Sequence, residues 1–442
     1  MISVKKIESY VSKNFSRFGI NKSREISRLI FEIAKSRAVS LEDLKIPDDE
    51  KNFNKIKSYL LEMRYPLTFG KTPKDEFYLP QVTINQKAQA NISKFKFYPK
   101  NIFIEKSVFN HPLSRNILKI FSESKIQAIS SLKEYSSNYS FNLKDYNKRT
   151  ENLFLVRENY DFFKACPCTS NVLPCNYYLI NLGFGCPFEC SYCFLQGYQN
   201  FPGIIIPTNI ESFFEKFKPS DLKPGMFQFP RIGSGEFTDS LVFDHITGFS
   251  KKIIEYFSKY SDIYFEFKTK SSNIGNILSS LPSKNIVVSW SLNPQKIIDE
   301  NEFYTASLEE RIESAKKCAD AGFSLGFHFD PIFYCEGWEK DYFGVIEKIF
   351  SKISPEKVLW ISLGTFRMPK ELKKAIENRF PNNKILDAEL LLGKDLKLRY
   401  SQDVRIEIYS KMVKGIRKFS NKSIIYLCME PKEVWEKSGL TN

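Results

Sequence analysis

Cys186, Cys190 and Cys193 stand at Cys-x-x-x-Cys-x-x-Cys spacing within Asn181-Leu-Gly-Phe-Gly-Cys-Pro-Phe-Glu-Cys-Ser-Tyr-Cys-Phe-Leu-Gln196. Thiolates are soft ligands that suit iron–sulfur clusters, zinc and copper. Structural zinc takes four ligands, commonly in two pairs. Three thiols on one glycine-containing loop instead suit a cubane that keeps one iron open. An open iron can chelate a small ligand through nitrogen and oxygen, and S-adenosylmethionine offers an amino and a carboxylate group. Spacing and context favour such a cluster over three buried cysteines, or over a zinc site completed by Cys166, Cys168 or Cys175.

A loop of this kind needs a strand to present it. Tyr177–Asn181 reads as that strand, and further strand-like runs follow at Gly225–Ile232, Ile263–Phe267, Ile286–Trp290, Ser324–Phe329 and Val358–Leu363. Helix-like stretches at Phe249–Tyr260, Leu308–Ala321 and Tyr342–Phe350 separate them. Regular alternation implies an α/β fold with a parallel sheet, and a barrel would place the site at the C-terminal ends of its strands. Ahead of it, Ile102-Phe103-Ile104 and Leu153–Val156 read as strands and Ser114–Phe121 as a helix. Residues 1–95 carry helical spacing (Ile7, Tyr10, Val11; Ile26, Leu29, Ile30, Ile33) and form an expected helical accessory module. Residues 96–165 are then an α/β lead-in, and 166–442 the barrel with a C-terminal extension.

The wider composition agrees. With 442 residues, 42% hydrophobic and 26% charged, the chain is globular and too long for one ordinary domain. Nine cysteines, an odd number, without the apolar stretch of a secretory signal argue against a disulfide framework. No apolar run approaches the roughly 20 residues that span a bilayer, so the expected protein is cytoplasmic, with no membrane partner. The 65 Lys and Arg against 51 Asp and Glu leave a net charge of +14. That excess suits a polyanionic partner, and equally a lysine-rich solvated surface. No phosphate loop, Ser-His-Asp pattern or His-Glu-x-x-His motif is present.

The cysteine spacing resembles the signature of the radical S-adenosylmethionine superfamily. From about Phe97 onward the chain looks most like the spore photoproduct lyase family. The likeness is carried by Gly185–Gln196, Arg231-Ile-Gly-Ser-Gly-Glu-Phe-Thr-Asp-Ser240 with Asp244-His245, Lys268-Thr-Lys270, Ser289-Trp-Ser-Leu-Asn-Pro294 and Pro331-Ile-Phe-Tyr-Cys-Glu-Gly-Trp338. The resemblance implies a partial (β/α)6 radical-SAM barrel. Cys186, Cys190 and Cys193 would hold a 4Fe–4S cluster with S-adenosylmethionine on the fourth iron. It further implies an electron donor such as flavodoxin or ferredoxin, and carbon–carbon lyase chemistry on a thymine photoproduct in DNA.

By the same likeness Thr238, Lys270 and Ser291 fall where the lyase contacts S-adenosylmethionine. Glu236 stands where the lyase has the cysteine that returns hydrogen to product; Gly235-Glu236 looks instead like the acidic motif that binds the methionyl ammonium. Phe194 replaces a tyrosine of the radical relay, while Tyr192 is retained. Cys335, after the Phe327-His-Phe-Asp-Pro331 strand end, is the candidate replacement thiol, set against an inert buried cysteine. Cys318 and Cys428 read as packing, Glu309-Glu310-Arg311 as a solvated helix face, and His328 and Asp330 as sharing one face toward the barrel interior, either for substrate contact or proton transfer or as a hydrogen-bonded pair. Lys394, Lys397, Arg399 and Arg405 could track a nucleic-acid backbone, with Tyr400 available for stacking. Three functions therefore fit: a DNA-repairing radical enzyme; the same radical chemistry on a peptide, nucleoside or small metabolite; or a non-catalytic iron–sulfur protein that binds nucleic acid.

Overall fold

The computed structural model describes residues 3–47, 52–92, 97–137, 139–160, 164–169, 171–224 and 226–440. The expected module boundary at residue 95, and Gly225 at the start of one expected strand, lie outside the described residues. The chain divides into two units, residues 1–90 with 366–405, and residues 91–365 with 406–442.

In the larger unit seven parallel strands follow one another in chain order: β1 (Tyr177–Ile180), β2 (Arg231–Ser234), β3 (Tyr264–Thr269), β4 (Ile286–Ser291), β5 (Ser324–Ile332), β6 (Val358–Thr365) and β7 (Ile424–Leu427). They curl into a half-barrel. A short antiparallel strand, Lys164–Ala165, edges β1. Strand β4 is buried at every position, as its unbroken Ile-Val-Val-Ser-Trp-Ser run requires of a sheet covered on both faces. Intervening helices include Leu308–Asp320, opened by a Ser307/Glu310 capping box, and Trp338–Lys352.

A single carboxylate ties the strands together inside the barrel. Glu266 on β3 accepts from Ser289 of β4 (2.5 Å), His328 of β5 (2.8 Å), Trp360 of β6 (2.7 Å) and the Tyr177 hydroxyl of β1. Gly326 makes that convergence possible, since a Cβ there would lie 2.3 Å from the Ser289 hydroxyl and 2.5 Å from the Trp360 indole nitrogen. Burial pushes His328 below its ordinary pKa against the pull of Glu266. The interior partner of His328 is thus Glu266 rather than Asp330.

A second, four-stranded parallel sheet is built from the lead-in segment, in the order Lys125–Ile129, Asn101–Glu105, Asn152–Val156, Ile204–Pro207. Its last strand is reached only after the cysteine loop, so this sheet is a platform for that loop.

The smaller unit combines helices Val4–Asn14, Ile20–Arg37 and Phe53–Arg64 with helix Lys370–Arg379 and a three-stranded antiparallel sheet. Residues 366–405, expected in the extension of the barrel, belong here. The physical reason is a buried charge network. Glu32 meets Lys373 (2.6 Å) and Arg64 (2.8 Å), and Arg28 meets Glu377 (2.5 Å), while Arg64 also donates to the carbonyls of Leu386, Asp387 and Ala388. Burial alone would raise Glu32, but Lys373, Arg64 and Arg28 hold it down to about 2. In this unit Tyr400 and Arg405 are buried, Arg405 donates to the Tyr400 carbonyl, and Arg399 is paired with Asp395. Tyr400 therefore offers no stacking face, Arg399 has its charge matched by Asp395, and Arg405 is turned away from solvent.

Candidate active site

The cysteine loop leaves the C-terminal end of β1 and is fastened on three sides. On the first, the backbones of Phe184 and Ile205 exchange two hydrogen bonds (3.0 and 2.8 Å), and Gly183 lies so close that a Cβ would stand 2.8 Å from the Ile205 carbonyl oxygen. Gly185, at φ +83°, turns the chain into Cys186. On the second, Glu189–Cys190 pairs antiparallel with Glu302–Phe303, and Ser191 bonds Asn301 through both backbone (2.8 Å) and hydroxyl (2.8 Å). On the third lies Arg149, fully buried at the head of strand Asn152–Val156. Its guanidinium donates to the carbonyls of Cys186 (3.0 Å), Phe188 (2.7 Å) and Tyr146 (3.1 Å) and to the Glu189 carboxylate (2.9 Å).

This loop brings the three thiols within electrostatic reach of one another. Burial pushes the Cys186 thiol up to about 12, with Asp239 and Cys193 adding to the effect. Backbone N–H groups nevertheless aim at the sulfurs, from Phe188 and Asp239 toward Cys186 and from Leu195 toward Cys193. N–H donors directed at thiols favour their thiolate form, and a bound metal cation would favour it further. Among the described residues, no three His, Cys, Asp or Glu side chains stand at the spacing of one ion's ligands; the corners of a cubane lie farther apart.

Beside the thiols sits an ordered polar shell. Glu302 accepts from the Tyr192 hydroxyl, Asn293 (2.8 Å) and Arg311 (2.7 Å). Burial alone would raise Glu302, but Arg311 and Lys270 hold it at about 2, so it is a carboxylate. Although burial alone would lower Lys270, Glu302 and Cys190 keep its pKa above the usual lysine value. Its ammonium stands 5.6 Å from the Tyr192 ring centroid. The Lys270 backbone is held by Asp239, whose carboxylate accepts from the N–H of Lys270 (2.6 Å), Leu241 and Val242 (each 3.0 Å) and from the Thr269 hydroxyl (2.6 Å). The Thr238 hydroxyl oxygen is buried and has no hydrogen-bond partner among the described residues. A lysine cation and an unpartnered hydroxyl beside three thiols fit a ligand that carries a carboxylate and further polar groups.

The residues marked in the sequence divide accordingly. Cys186, Cys190, Cys193, Tyr192 and Lys270 come together, and Ser291 ends β4 with its carbonyl fixed by Arg311 (2.8 Å). Glu236 is ion-paired with Lys164 (2.9 Å) of the edge strand. Phe194 is partly exposed, edge-on to Tyr198. Cys335 is exposed in the loop after β5, which removes its expected alternative as a buried inert cysteine. Arg311 is not part of a solvated face: it is fully buried, because Glu302 and the carbonyls of Ser291 and Ala306 absorb its donors. Arg149, Glu302, Asn293 and Asp239 carry the site without having been marked. Single residues of these types have no spacing that distinguishes them.

A family model described as spore photoproduct lyase matches residues 97–426. The spore photoproduct lyase of Clostridium acetobutylicum is 27% identical over 342 residues, covering 74% of this chain and 97% of that protein. The Bacillus subtilis spore photoproduct lyase is 28% identical over 306 residues, covering 66% of this chain and 86% of that protein. Among solved structures, a spore photoproduct lyase mutant with bound AdoMet and dinucleoside spore photoproduct superimposes with a TM-score of 0.63 at 23% identity, over 75% of this chain and all of that one. Spore photoproduct lyase complexed with dinucleoside spore photoproduct gives 0.64 at 22% identity, over 75% and 99%. At that identity the likeness shows the fold.

Proposed function

Because the chain belongs to the spore photoproduct lyase family, we propose that it is a radical S-adenosylmethionine enzyme that splits a thymine photoproduct in DNA. The observation that supports this most is the convergence of three thiols, Cys190 buried and Cys186 and Cys193 half-buried, with the Lys270 ammonium and the unpartnered Thr238 hydroxyl at the C-terminal ends of parallel strands. Cys186, Cys190 and Cys193 would hold a 4Fe–4S cluster. When bound and reduced by a donor such as flavodoxin or ferredoxin, cluster and S-adenosylmethionine together supply a 5′-deoxyadenosyl radical that takes hydrogen from the substrate.

The protein's own part is binding and orientation. Lys270 meets the methionyl carboxylate, with Thr238 and Ser291 completing the polar contacts. Glu236 faces the methionyl ammonium once Lys164 yields it. Tyr192 keeps its proton, since burial and the Glu302 carboxylate hold its pKa well above the ordinary tyrosine value; it positions Glu302 and stands in the remaining relay path. A carboxylate is a poor hydrogen-atom donor, so the final hydrogen comes from the exposed thiol of Cys335, whose thiyl radical is returned to thiol by one electron from the same electron donor and a proton from solvent. The reaction belongs in the cytoplasm, where thiols stay reduced; no described helix is long and apolar enough to cross a membrane.

Glu236 in place of a donor cysteine also favours a second possibility, the same radical chemistry on a peptide, nucleoside or small metabolite. One experiment separates the two. Anaerobic enzyme reconstituted with iron and sulfide, then reduced with dithionite, is given S-adenosylmethionine alone, with undamaged DNA, and with DNA carrying spore photoproduct. Repair predicts 5′-deoxyadenosine formation that rises with the damaged DNA only. Formation that ignores DNA supports the second possibility, and none from a loaded cluster overturns both.

A further inference from the structure

The net charge of the chain is not spread evenly over it. The smaller unit, residues 1–90 with 366–405, carries 27 Lys and Arg against 17 Asp and Glu. It therefore holds +10 of the +14 in 130 of the 442 residues, where an even spread would leave about +4. A uniformly lysine-rich composition does not produce that segregation. Nor does the buried network, since Arg28, Arg64 and Lys373 against Glu32 and Glu377 leave only one of the ten charges.

The excess is densest on the first two helices. Between Val4 and Arg24 stand six Lys and Arg against a single acid, Glu8. Helix Val4–Asn14 buries Ile7 and Val11, while Lys6 and Lys13, seven residues apart, share a solvent-facing side. Lys22 and Arg24 are exposed at the start of helix Ile20–Arg37, whose first turn holds no acid. Among the described residues none of Lys6, Lys13, Lys22 and Arg24 is ion-paired, and the next acid, Glu25, is already held by Lys57 (2.7 Å). Rings rather than carboxylates steady the corner between the helices. Arg17 lies 5.0 Å from the Phe18 centroid, Lys22 and Lys57 lie 5.2 and 5.9 Å from that of Phe53, and the two rings meet edge to face at 5.6 Å. A ring holds the stem of a cation in place and leaves its charge unneutralised.

We infer that this helix pair is a sequence-independent docking surface for the DNA backbone, with Lys6, Lys13, Lys22 and Arg24 as its principal contacts. Seven helical residues set Lys6 and Lys13 about 10 Å apart along the axis, too far to converge on one small anion and well suited to a chain of phosphates. Unpaired cations gain most from such a chain, because each phosphate they neutralise releases condensed counterions. Among polyanions, the choice of DNA rests on the function proposed above. The surface lies outside residues 97–426, which the family model matches, so it is an addition to the repair fold. Its contacts read no bases; they hold the chain on DNA and let it move along the duplex. The excess of positive charge, which composition alone leaves open between a polyanionic partner and a solvated surface, thereby acquires a place.

The test measures binding rather than repair. The full reconstituted chain is titrated against a fluorescent, undamaged DNA duplex over a range of salt, where each phosphate neutralised contributes about 0.9 to the slope of log affinity against log salt. Lys6→Gln, Lys13→Gln, Lys22→Gln and Arg24→Gln in one chain should lower that slope by about 3 to 4, so that the parent loses about 100-fold more affinity than the variant between about 50 and about 200 mM salt. The matched control, Lys251→Gln, Lys259→Gln, Lys284→Gln and Lys317→Gln at exposed positions of the larger unit, should change the slope by less than about 1. The charge-preserving set Lys6→Arg, Lys13→Arg, Lys22→Arg and Arg24→Lys should keep the parent slope. If the Gln chain does not fold by circular dichroism, acetylation of the parent decides: bound duplex should protect Lys6, Lys13 and Lys22. Equal slopes in parent and Gln chain, an equal fall in the control, unprotected lysines, or tighter binding of phosphatidylserine vesicles than of DNA would overturn the inference. Thymine restoration is scored separately. Repair with an unchanged slope removes this surface and leaves the proposed function, whereas the expected slope without any repair does the reverse.

Discussion

Arg149 offers the sharpest test of how the fold makes the cysteine loop. It is not a ligand and touches no thiol directly, yet its donors hold the Cys186 and Phe188 carbonyls and the Glu189 carboxylate in place. Arg149→Met retains much of the side-chain volume and leaves Glu189 buried without its cation. Removing one partner of a buried ion pair costs about 3–5 kcal/mol. Water entering beside the freed carbonyls recovers part of their lost bonding, so that range stands for the whole perturbation rather than for the pair alone. If the ordered loop bears this cost, the cluster-competent state becomes about 100- to 4,000-fold less populated at about 1.4 kcal/mol per tenfold. The assay is retention of iron and of the cluster's visible absorbance against a chelator after anaerobic reconstitution, with far-ultraviolet circular dichroism as the control for the remaining fold. Arg149→Met should lose its iron at chelator concentrations that the parent resists, and Glu189→Gln in the same chain should recover part of the loss by removing the stranded charge. A variant that holds iron as firmly as the parent would refute the assignment of Arg149 as the loop's anchor.

Three further outcomes follow from the same geometry. Lys270→Met should weaken S-adenosylmethionine binding about 10- to 100-fold, the worth of a charge-assisted hydrogen bond, with iron content unchanged; equal affinity by equilibrium dialysis would exclude Lys270 as the carboxylate partner. Cys335→Ala should leave 5′-deoxyadenosine formation on damaged DNA intact while thymine restoration falls and abortive adducts accumulate; full restoration would remove Cys335 as hydrogen donor. Glu32 in the smaller unit is held near 2 against an ordinary 4.5. Its contribution is therefore present above pH 4.5 and lost as pH falls toward 2, so amide-exchange protection of helix Ile20–Arg37 should decline over that window, and Glu32→Gln should flatten the decline.

What was legible in the sequence depended on whether a residue's role is written in its neighbours. The strands Ile286–Ser291 and Val358–Thr365 announce themselves because a sheet buried on both faces demands unbroken apolar runs. The triad is equally plain, since three thiols on one loop serve few purposes. Lys125–Ile129, by contrast, is an exposed strand with mixed polarity, and Ile424–Leu427 is only four residues long. The union of residues 366–405 with the N-terminal helices rests on Arg28 meeting Glu377 and Glu32 meeting Lys373, pairs more than 300 residues apart that no local pattern joins. Arg311 illustrates the same limit: beside Glu309 and Glu310 it reads as surface charge, but its side chain turns inward to Glu302. Basic residues in 394–405 looked like a nucleic-acid track from composition alone, while Arg399 is paired with Asp395 and Arg405 is buried, donating to the Tyr400 carbonyl.

The most direct measurement of the central claim is product analysis. Reconstituted, reduced enzyme is incubated with S-adenosylmethionine and DNA carrying spore photoproduct, and restored thymine is counted beside 5′-deoxyadenosine, with the Cys186/Cys190/Cys193→Ala protein as control. The account predicts thymine restoration that requires all three cysteines. A fully loaded cluster that yields 5′-deoxyadenosine but never restores thymine would contradict it.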